Sequence, residues 1–423
     1  MNRREFVKNV AVVSAGTLAL SQSRIFAAGS EKIKVALVGC GGRGKGALGN
    51  FLEAAKHLNI EAEIVGLADF FKSRTDEAVK KFSVSEDLCV VGTDAYKKIM
   101  ATDADVVLLV TPPNFRPVHF EAAIHAGKHV FMEKPVAVDP PGARKIMDVG
   151  KLAKEKGLAV VAGTQRRHQL KYLQTKYAIN QGVIGPIRGG SVSWCGGALW
   201  YKERNPGEDD ASYMVRNWVS FAEMSGDHIV EQHVHNLDVA NWFIGQTPTN
   251  AIGFGGRQRR KTGNQFDFFN IDFEYDNGVH IHSMCRQIKG CYNRVSEFFT
   301  GADGATWGTG PGKKEGETFA RDIQIPDIPN VGDPYVQEHV DLLKGILENK
   351  PLNEAEQVAT STLTGIMGRI SAYTGQLVRW KDLTDETSKS PWYNLTLNPT
   401  ALDFENGTVT APPDDIAPVP GKA

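Results

Sequence analysis

Lys34 to Gly46 reads K-V-A-L-V-G-C-G-G-R-G-K-G, and the fold class follows from this stretch. The β-branched run Ile33 to Val38 has the composition of a strand buried on both faces, as in a parallel sheet. It stops at glycine, and Gly39, Gly41 and Gly44 fall in the G-x-G-x-x-G spacing. That spacing lets a strand turn sharply, admits a pyrophosphate against bare backbone and packs a helix closely on its strand. The free N–H groups and positive dipole at the helix start hold the anion, with Gly42 and Arg43 in the same turn. A second strand-like run, Glu63 to Ala68, closes on Asp69, 25 residues after Gly44, where a carboxylate meets an adenosine ribose. A carboxylate accepts from a ribose 2′-OH and repels a 2′-phosphate, which favours NAD; nearby Lys72 and Arg74 keep NADP as the alternative.

Outward from this unit, strand-like and helical patterns alternate to about residue 163, which predicts a doubly wound parallel sheet with helices on both faces. Ligands in such sheets sit beyond the C-terminal strand ends. The candidate cofactor contacts are therefore the glycine turn, Asp69, Thr111-Pro112-Pro113-Asn114 with His119 beyond it, Glu133-Lys134, and Gln165. From about residue 166 the texture changes to antiparallel strand patterns over 187–194, 251–254, 270–275 and 279–285, with Asp276-Asn277-Gly278 a hairpin turn. Helical patterns return over 334–348 and 354–373. The expected units are an export signal (1–29), a nucleotide-binding domain (30–165) and a substrate-binding α+β domain (166–423).

The chain has 423 residues, 41% hydrophobic, with a formal charge of -1, so no basic excess points to nucleic acid. Its N-terminus has paired Arg3 and Arg4 in an Arg-Arg-x-Phe-x-Lys pattern, then a mildly apolar stretch too short to span a bilayer. This is the pattern of a twin-arginine export signal and predicts a periplasmic or otherwise extracytoplasmic protein with no membrane span once the signal is removed. Because that route carries folded proteins, a nicotinamide cofactor would be loaded before export and held tightly. The five cysteines show no C-x-x-C spacing and read as buried free thiols.

Two features carry chemistry. Lys134 follows a buried strand and precedes Pro135, which directs it out from the sheet edge toward the cofactor, where like-charge repulsion beside an oxidised nicotinamide readies it for proton exchange. The run Asp227 to Asp238, read as one helix capped by Asp227, puts Glu231, His235 and Asp238 on one face. Such a face is a metal site, an acid–base site or a buried polar network. No H-E-x-x-H spacing supports a metal. Abstraction of hydride from a carbinol needs a group that takes the hydroxyl proton, and His235 suits that, with Glu231 and Asp238 orienting it or the substrate hydroxyls.

Taken together, V-G-C-G-G-R-G, Ala68-Asp69, T-P-P-N, E-K-P and E-x-x-x-H-N-L-D resemble the glucose-fructose oxidoreductase and inositol dehydrogenase (Gfo/Idh/MocA) family over nearly the whole chain after the signal. The resemblance implies a nucleotide-binding half joined to a large open, mainly antiparallel sheet that often serves as an oligomer interface, hence a homo-oligomer, dimer or tetramer. It also implies that Lys134 and His235 are catalytic. Where the family commonly shows Asp-x-Gly-x-His, this chain has Glu231-Gln232-His233-Val234-His235, so a longer carboxylate and a second histidine alter the pocket. The chain is similar to a secreted bacterial subgroup in which Arg216-Asn217-Trp218 precedes this cluster. These three, with Arg167, are substrate-loop candidates: guanidinium and amide for hydroxyls, indole for a sugar face or for core packing.

The expected activity is NAD-dependent oxidation of a secondary alcohol on a sugar, glycoside or cyclitol, using Lys134, His235 and Glu231. One alternative is a glycoside-cleaving enzyme that oxidises C3 transiently, eliminates the aglycone and returns the hydride. Another is a nucleotide- or sugar-binding protein without turnover.

Overall fold

The computed structural model describes residues 32–310 and 324–422; the export-signal reading falls on residues outside these. The first unit is built from β1 (Ile33–Val38), α1 (Gly42–His57), β2 (Ala62–Asp69), α2 (Lys72–Phe82), β3 (Cys89–Val91), α3 (Ala95–Met100), β4 (Val106–Leu109), α4 (Arg116–His125), β5 (His129–Met132), α5 (Pro140–Glu155) and β6 (Val160–Ala162). Its six strands are all parallel, in the order β3-β2-β1-β4-β5-β6. Strand β1 is sealed on both sides, as its composition predicts. Val35 and Leu37 face a layer containing Leu48 and Phe51 of α1, whereas Ala36 and Val38 face one containing Phe120 of α4 and Ile146 of α5.

The second unit follows α6 (Leu170–Asn180) and contains β7 (Ile187–Gly196), α7 (Asp210–Arg216), α8 (His228–Glu231), α9 (Val234–Ile244), β8 (Asn250–Gly256), β9 (Phe268–Glu274), β10 (His280–Gln287), β11 (Arg294–Gly301) and β12 (Ala305–Trp307). With β13 (Val378–Arg379) these strands form a seven-stranded sheet, β12-β11-β7-β10-β9-β8-β13. Every pair is antiparallel except β7–β10. Ile271, Phe273 and Ile281 on one face pack under Leu237 of α9 and Ile366 and Ile370 of a long C-terminal helix. The opposite face carries exposed Ile252 and Phe254. The strand-rich texture after residue 166 is thus a half-buried sheet, and its burial alternates with period two along β9 and β10, as one-sided packing requires.

The two units are not sequential. After the second sheet the chain returns, and α10 (Pro334–Leu347) lays Val336, Val340 and Leu343 against the β1 and α1 side of the first core. Helix α11 (Ala355–Thr374) then joins both cores, with Ala355, Val358 and Ala359 in the first and Leu363, Ile366 and Met367 in the second. A Cβ added at Gly150 of α5 would sit 2.6 Å from the Ala355 Cβ, so these helices meet at a spacing only glycine allows.

Two local expectations need correction. The run 227–238 is not one helix. The His233 N–H reaches five residues back to the His228 carbonyl (3.1 Å), which separates α8 from α9, and Gln232 at the break accepts from Gln287 Nε2 at 3.0 Å. All five cysteines are unpaired, but Cys291 is exposed and only Cys40 and Cys285 are fully buried.

Candidate active site

The C-terminal strand ends of the first sheet open onto a cleft of about 550 Å³. Its floor is the glycine turn, at Gly39, Gly41, Gly42 and Gly44, with Asp69, Thr111, Pro112 and His119 along the strand ends, while Trp200 and Trp218 reach over from the second unit. The turn is possible because Gly39 adopts φ +102, and a Cβ on Gly44 would collide with the Gly39 carbonyl oxygen. Gly42 has open space around its Cα, which leaves bare backbone facing the cleft at the start of α1. A dinucleotide fits this cradle: unfilled backbone at a helix start for the pyrophosphate and a carboxylate at the end of β2 for a ribose.

Asp69 has a second task. Its Oδ2 accepts from the Cys40 N–H at 2.8 Å and its Oδ1 from the Phe71 N–H at 2.9 Å, so the same carboxylate that faces the cleft also holds the turn. Burial pushes its pKa up against the pull of those N–H donors and Arg74. His119 sits between the Tyr96 and Phe115 rings, with Nδ1 3.3 Å from Thr111 Oγ1. Burial, then the charge of Arg116, pushes its pKa down to about 3, so this imidazole is neutral at working pH.

Arg43, Glu133, Lys134, Gln165 and His235 lie outside or at the margin of this cleft, in a polar seam between the two units. Arg43 lines the cleft with part of its side chain but gives its guanidinium to Glu133, to Asn50 (3.2 Å) and to Glu338 of α10 (2.9 Å), stacked 4.9 Å over the Tyr335 ring. Gln165 donates to the Tyr335 hydroxyl at 3.3 Å. Lys134, at the end of β5, donates to the Glu231 main-chain carbonyl and to its Oε1 at 3.1 Å, which ties the first sheet to the end of α8.

His235 follows on the first turn of α9. It is buried and stacked on Trp194 (centroids 5.7 Å apart), and its Nδ1 is sealed in the interior without a hydrogen-bond partner among the described residues. Burial holds its pKa well below the usual histidine range, and the Lys134 ammonium adds to that push. The second cause places Lys134 and His235 within electrostatic reach of each other, although they are 101 residues apart in the chain.

Several candidates have other partners. Asp238 is sealed, held by the fork of Arg167 (2.9–3.1 Å) and by Ser361 Oγ (2.7 Å), so both members of that ion pair brace α9 rather than face a substrate. Asn217 is fully buried, and its amide bonds the Lys202 N–H, Ser220 and Thr262. Arg216 is paired with Glu208, which leaves Trp218 as the one member of its triplet on the cleft wall. Asn114 donates to the Glu223 and Pro399 carbonyls, both at 2.9 Å, and joins units instead of lining the cleft.

Arg116, Tyr335, Glu338 and Trp200 carried no signal in the sequence reading. Arg116 is fully buried and clamps two strand ends, donating to the Glu133 carbonyl (3.0 Å) and to Thr111 O (2.5 Å) and Oγ1 (3.2 Å). A cation two residues past T-P-P-N could have been flagged. Nothing local marks Tyr335 or Glu338. Among the described residues no group of three or more His, Cys, Asp or Glu is arranged to hold a metal ion.

Comparison with known proteins agrees with the two-unit fold. Residues 33–164 match the NAD-binding Rossmann-fold domain of the Gfo/Idh/MocA oxidoreductase family, and residues 172–304 match a C-terminal domain of the same family. The chain belongs to that family. Inositol 2-dehydrogenase of Rhizobium meliloti is 26% identical over 209 residues, 49% of this chain and 55% of that protein. The 2,7-anhydro-N-acetylneuraminate hydratase of Escherichia coli is 26% identical over 206 residues, 46% of this chain and 50% of that protein. The chain thus spans about half the length of the curated relatives it matches. Among solved structures, levoglucosan dehydrogenase in complex with NADH and levoglucosan superposes with a TM-score of 0.65 at 16% identity, over 82% of this chain and 99% of that one, a likeness of fold.

Proposed function

We propose that the protein is an NAD-dependent oxidoreductase that oxidises a secondary alcohol of a sugar, glycoside or cyclitol. The observation that carries this reading is a buried His235, its pKa held low, within electrostatic reach of the Lys134 ammonium, which leaves the C-terminal end of β5 in the sheet whose strand ends form the dinucleotide cradle. Bound NAD supplies the hydride acceptor; the chain supplies the cradle, the orientation and the proton path. Gly39, Gly41, Gly42 and Gly44 would hold the pyrophosphate and Asp69 a ribose.

His235 accepts the hydroxyl proton. With Nδ1 sealed inside, Nε2 is the ring nitrogen left for a substrate, and the depressed pKa keeps the ring unprotonated and ready as a base. Lys134 donates to the same substrate oxygen as the proton leaves, and Glu231 fixes the direction of that ammonium. Trp200 and Trp218 form the outer wall, where a sugar face stacks.

We further propose that the protein is exported with its cofactor, on the strength of the Arg3-Arg4-x-Phe-x-Lys8 pattern, and works as a homo-oligomer, on the strength of the apolar open face of the second sheet.

A second reading has support in the hydratase relative: the same residues serve a redox-neutral cleavage in which hydride is taken and returned. One experiment separates the readings. The purified protein with NAD is offered neutral and acidic sugars, cyclitols and aryl glycosides, while nicotinamide absorbance and products are followed. Net NADH with a keto product supports the first reading, and aglycone release without net NADH supports the second. No product and no NADH across the panel overturns both.

A further inference from the structure

Beside the cofactor cleft lies a second cavity, of about 380 Å³, which Trp200 is the one residue of the proposed site to line. It opens where the chain leaves β7 and where β10 ends, strands held in parallel register with Gln287 opposite Gly196. Trp200 lines both cavities, so the two lie on either side of one shared indole.

Its chemistry is lopsided. Arg259, Arg260, Lys261 and Lys289 line it, against a single carboxylate, Asp267. That carboxylate is already neutralised: it is buried, it accepts from the Gln258 N–H and from the Arg259 N–H (2.6 Å), and it faces Arg260 Nε at 3.8 Å. Arg260 is itself occupied, by the Phe266 carbonyl (2.7 Å) and by Gln287. Arg259, Lys261 and Lys289 have no carboxylate partner among the described residues, although the chain as a whole carries a formal charge of -1. The aromatic side of the cavity is Trp200 and Tyr201, 48% and 40% exposed, with the Lys261 ammonium 5.7 Å from the Tyr201 ring centre, so that a pyranose stacked there lies beside a cation.

The cavity is also wired to the reacting end. Gln287 on its wall donates to Gln232, which lies at the break between α8 and α9, next to Glu231 and three residues before His235.

We infer that this cavity is a substrate-specificity annex that selects a carbohydrate carrying an anionic group, a sugar carboxylate or phosphate, by placing that group among Arg259, Lys261 and Lys289 while the ring stacks on Trp200 and Tyr201. This rests on the carbohydrate reading of the neighbouring cleft and narrows it. Charged hydrogen bonds of this kind contribute to substrate and transition state alike, so their loss moves KM more than kcat.

The test uses the full chain loaded with NAD. Binding of glucose, glucuronate and glucose 6-phosphate is measured by calorimetry, and turnover separately by product analysis. Glucuronate or the phosphate binding at least about tenfold more tightly than glucose is expected, and the preferred anion identifies the source of charge. In Arg259→Ala/Lys289→Ala, both changes on exposed side chains, that preference should fall about tenfold while neutral-sugar binding stays. Equal affinity for all three sugars, or an anion preference untouched in the double variant, overturns the annex. Anion binding that depends on Arg259 and Lys289 without any oxidised product leaves the annex standing and removes the oxidoreductase reading instead.

Discussion

Lys134 and Glu231, 97 positions apart, are joined twice: the ammonium donates to the Glu231 main-chain carbonyl and, at 3.1 Å, to its carboxylate. This contact joins the end of a parallel strand to the end of a short helix in the other unit. It therefore sets where the lysine points and where α9, with His235, begins.

Replacing Lys134 with Ala should lower kcat by about 10²–10⁴-fold, the usual contribution of a positioned proton-transfer group. NAD affinity should stay close to wild type, because the glycine turn and Asp69 are untouched. Stopped-flow reduction of NAD beside an equilibrium NAD titration separates the two. A variant that turns over normally removes Lys134 from the chemistry.

His235→Asn should abolish the general base and flatten the pH profile. In the wild type, burial and Lys134 hold the imidazole pKa well below 6.5 in the free enzyme. The acidic limb of kcat/KM should therefore lie on the acid side of 6.5, with activity retained where an ordinary imidazole is already protonated. A limb centred at or above 6.5 contradicts this assignment.

His119 and His233 predict how stability follows pH. Each has a folded pKa of about 3: burial is the main cause, with Arg116 adding for His119 and His228 for His233. Both are depressed below the unfolded value of about 6.5, so the unfolded chain binds protons that the folded chain refuses. The stability each contributes is full above pH 6.5 and is lost as pH falls toward 3, with a slope approaching about 1.4 kcal/mol per pH unit per histidine. His168 runs the other way. Burial opposes its charge, but Glu354 and Asp341 outweigh that and raise it to about 10, so its contribution is full below 6.5 and is lost as pH rises through 10. Urea unfolding across this range should show a slope on the acid side that is smaller in His233→Gln.

Gly44→Ala and Gly42→Ala form a controlled pair. The first puts a Cβ into the Gly39 carbonyl oxygen, whereas the second meets nothing within 4 Å. Overpacking at the first should cost about 1–3 kcal/mol and most NAD affinity. Thermal shift with and without NAD reads both quantities, and equal behaviour of the two variants would show that the turn is not built as described.

Asp69→Ser should relax the preference for NAD over NADP, because the carboxylate that repels a 2′-phosphate is gone. It should also destabilise the free protein by about 1–3 kcal/mol, since the Cys40 and Phe71 N–H groups lose their acceptor. Asn217→Ala should lower the melting temperature and leave substrate preference alone, because that amide is fully buried and ties its loop to Lys202, Ser220 and Thr262. A changed substrate profile with unchanged melting would restore Asn217 to the substrate.

The amino-acid sequence by itself determined the β1–α1 turn, the alternating first sheet, the Asn277-Gly278 hairpin and the candidacy of Lys134 and His235. Each depends on chemistry within a few residues: a period of two or 3.6, a glycine at positive φ, a side chain at a strand end. Only the tertiary structure decided that α10 returns to cover the first sheet and gives Glu338 to Arg43, that Asp238 is taken by Arg167, and that the helix breaks at Gln232. The physical reason is that a buried polar group must find a partner, and its partner is whatever packing brings near, at separations of 295 residues for Arg43–Glu338 and 71 for Arg167–Asp238, which no local pattern encodes.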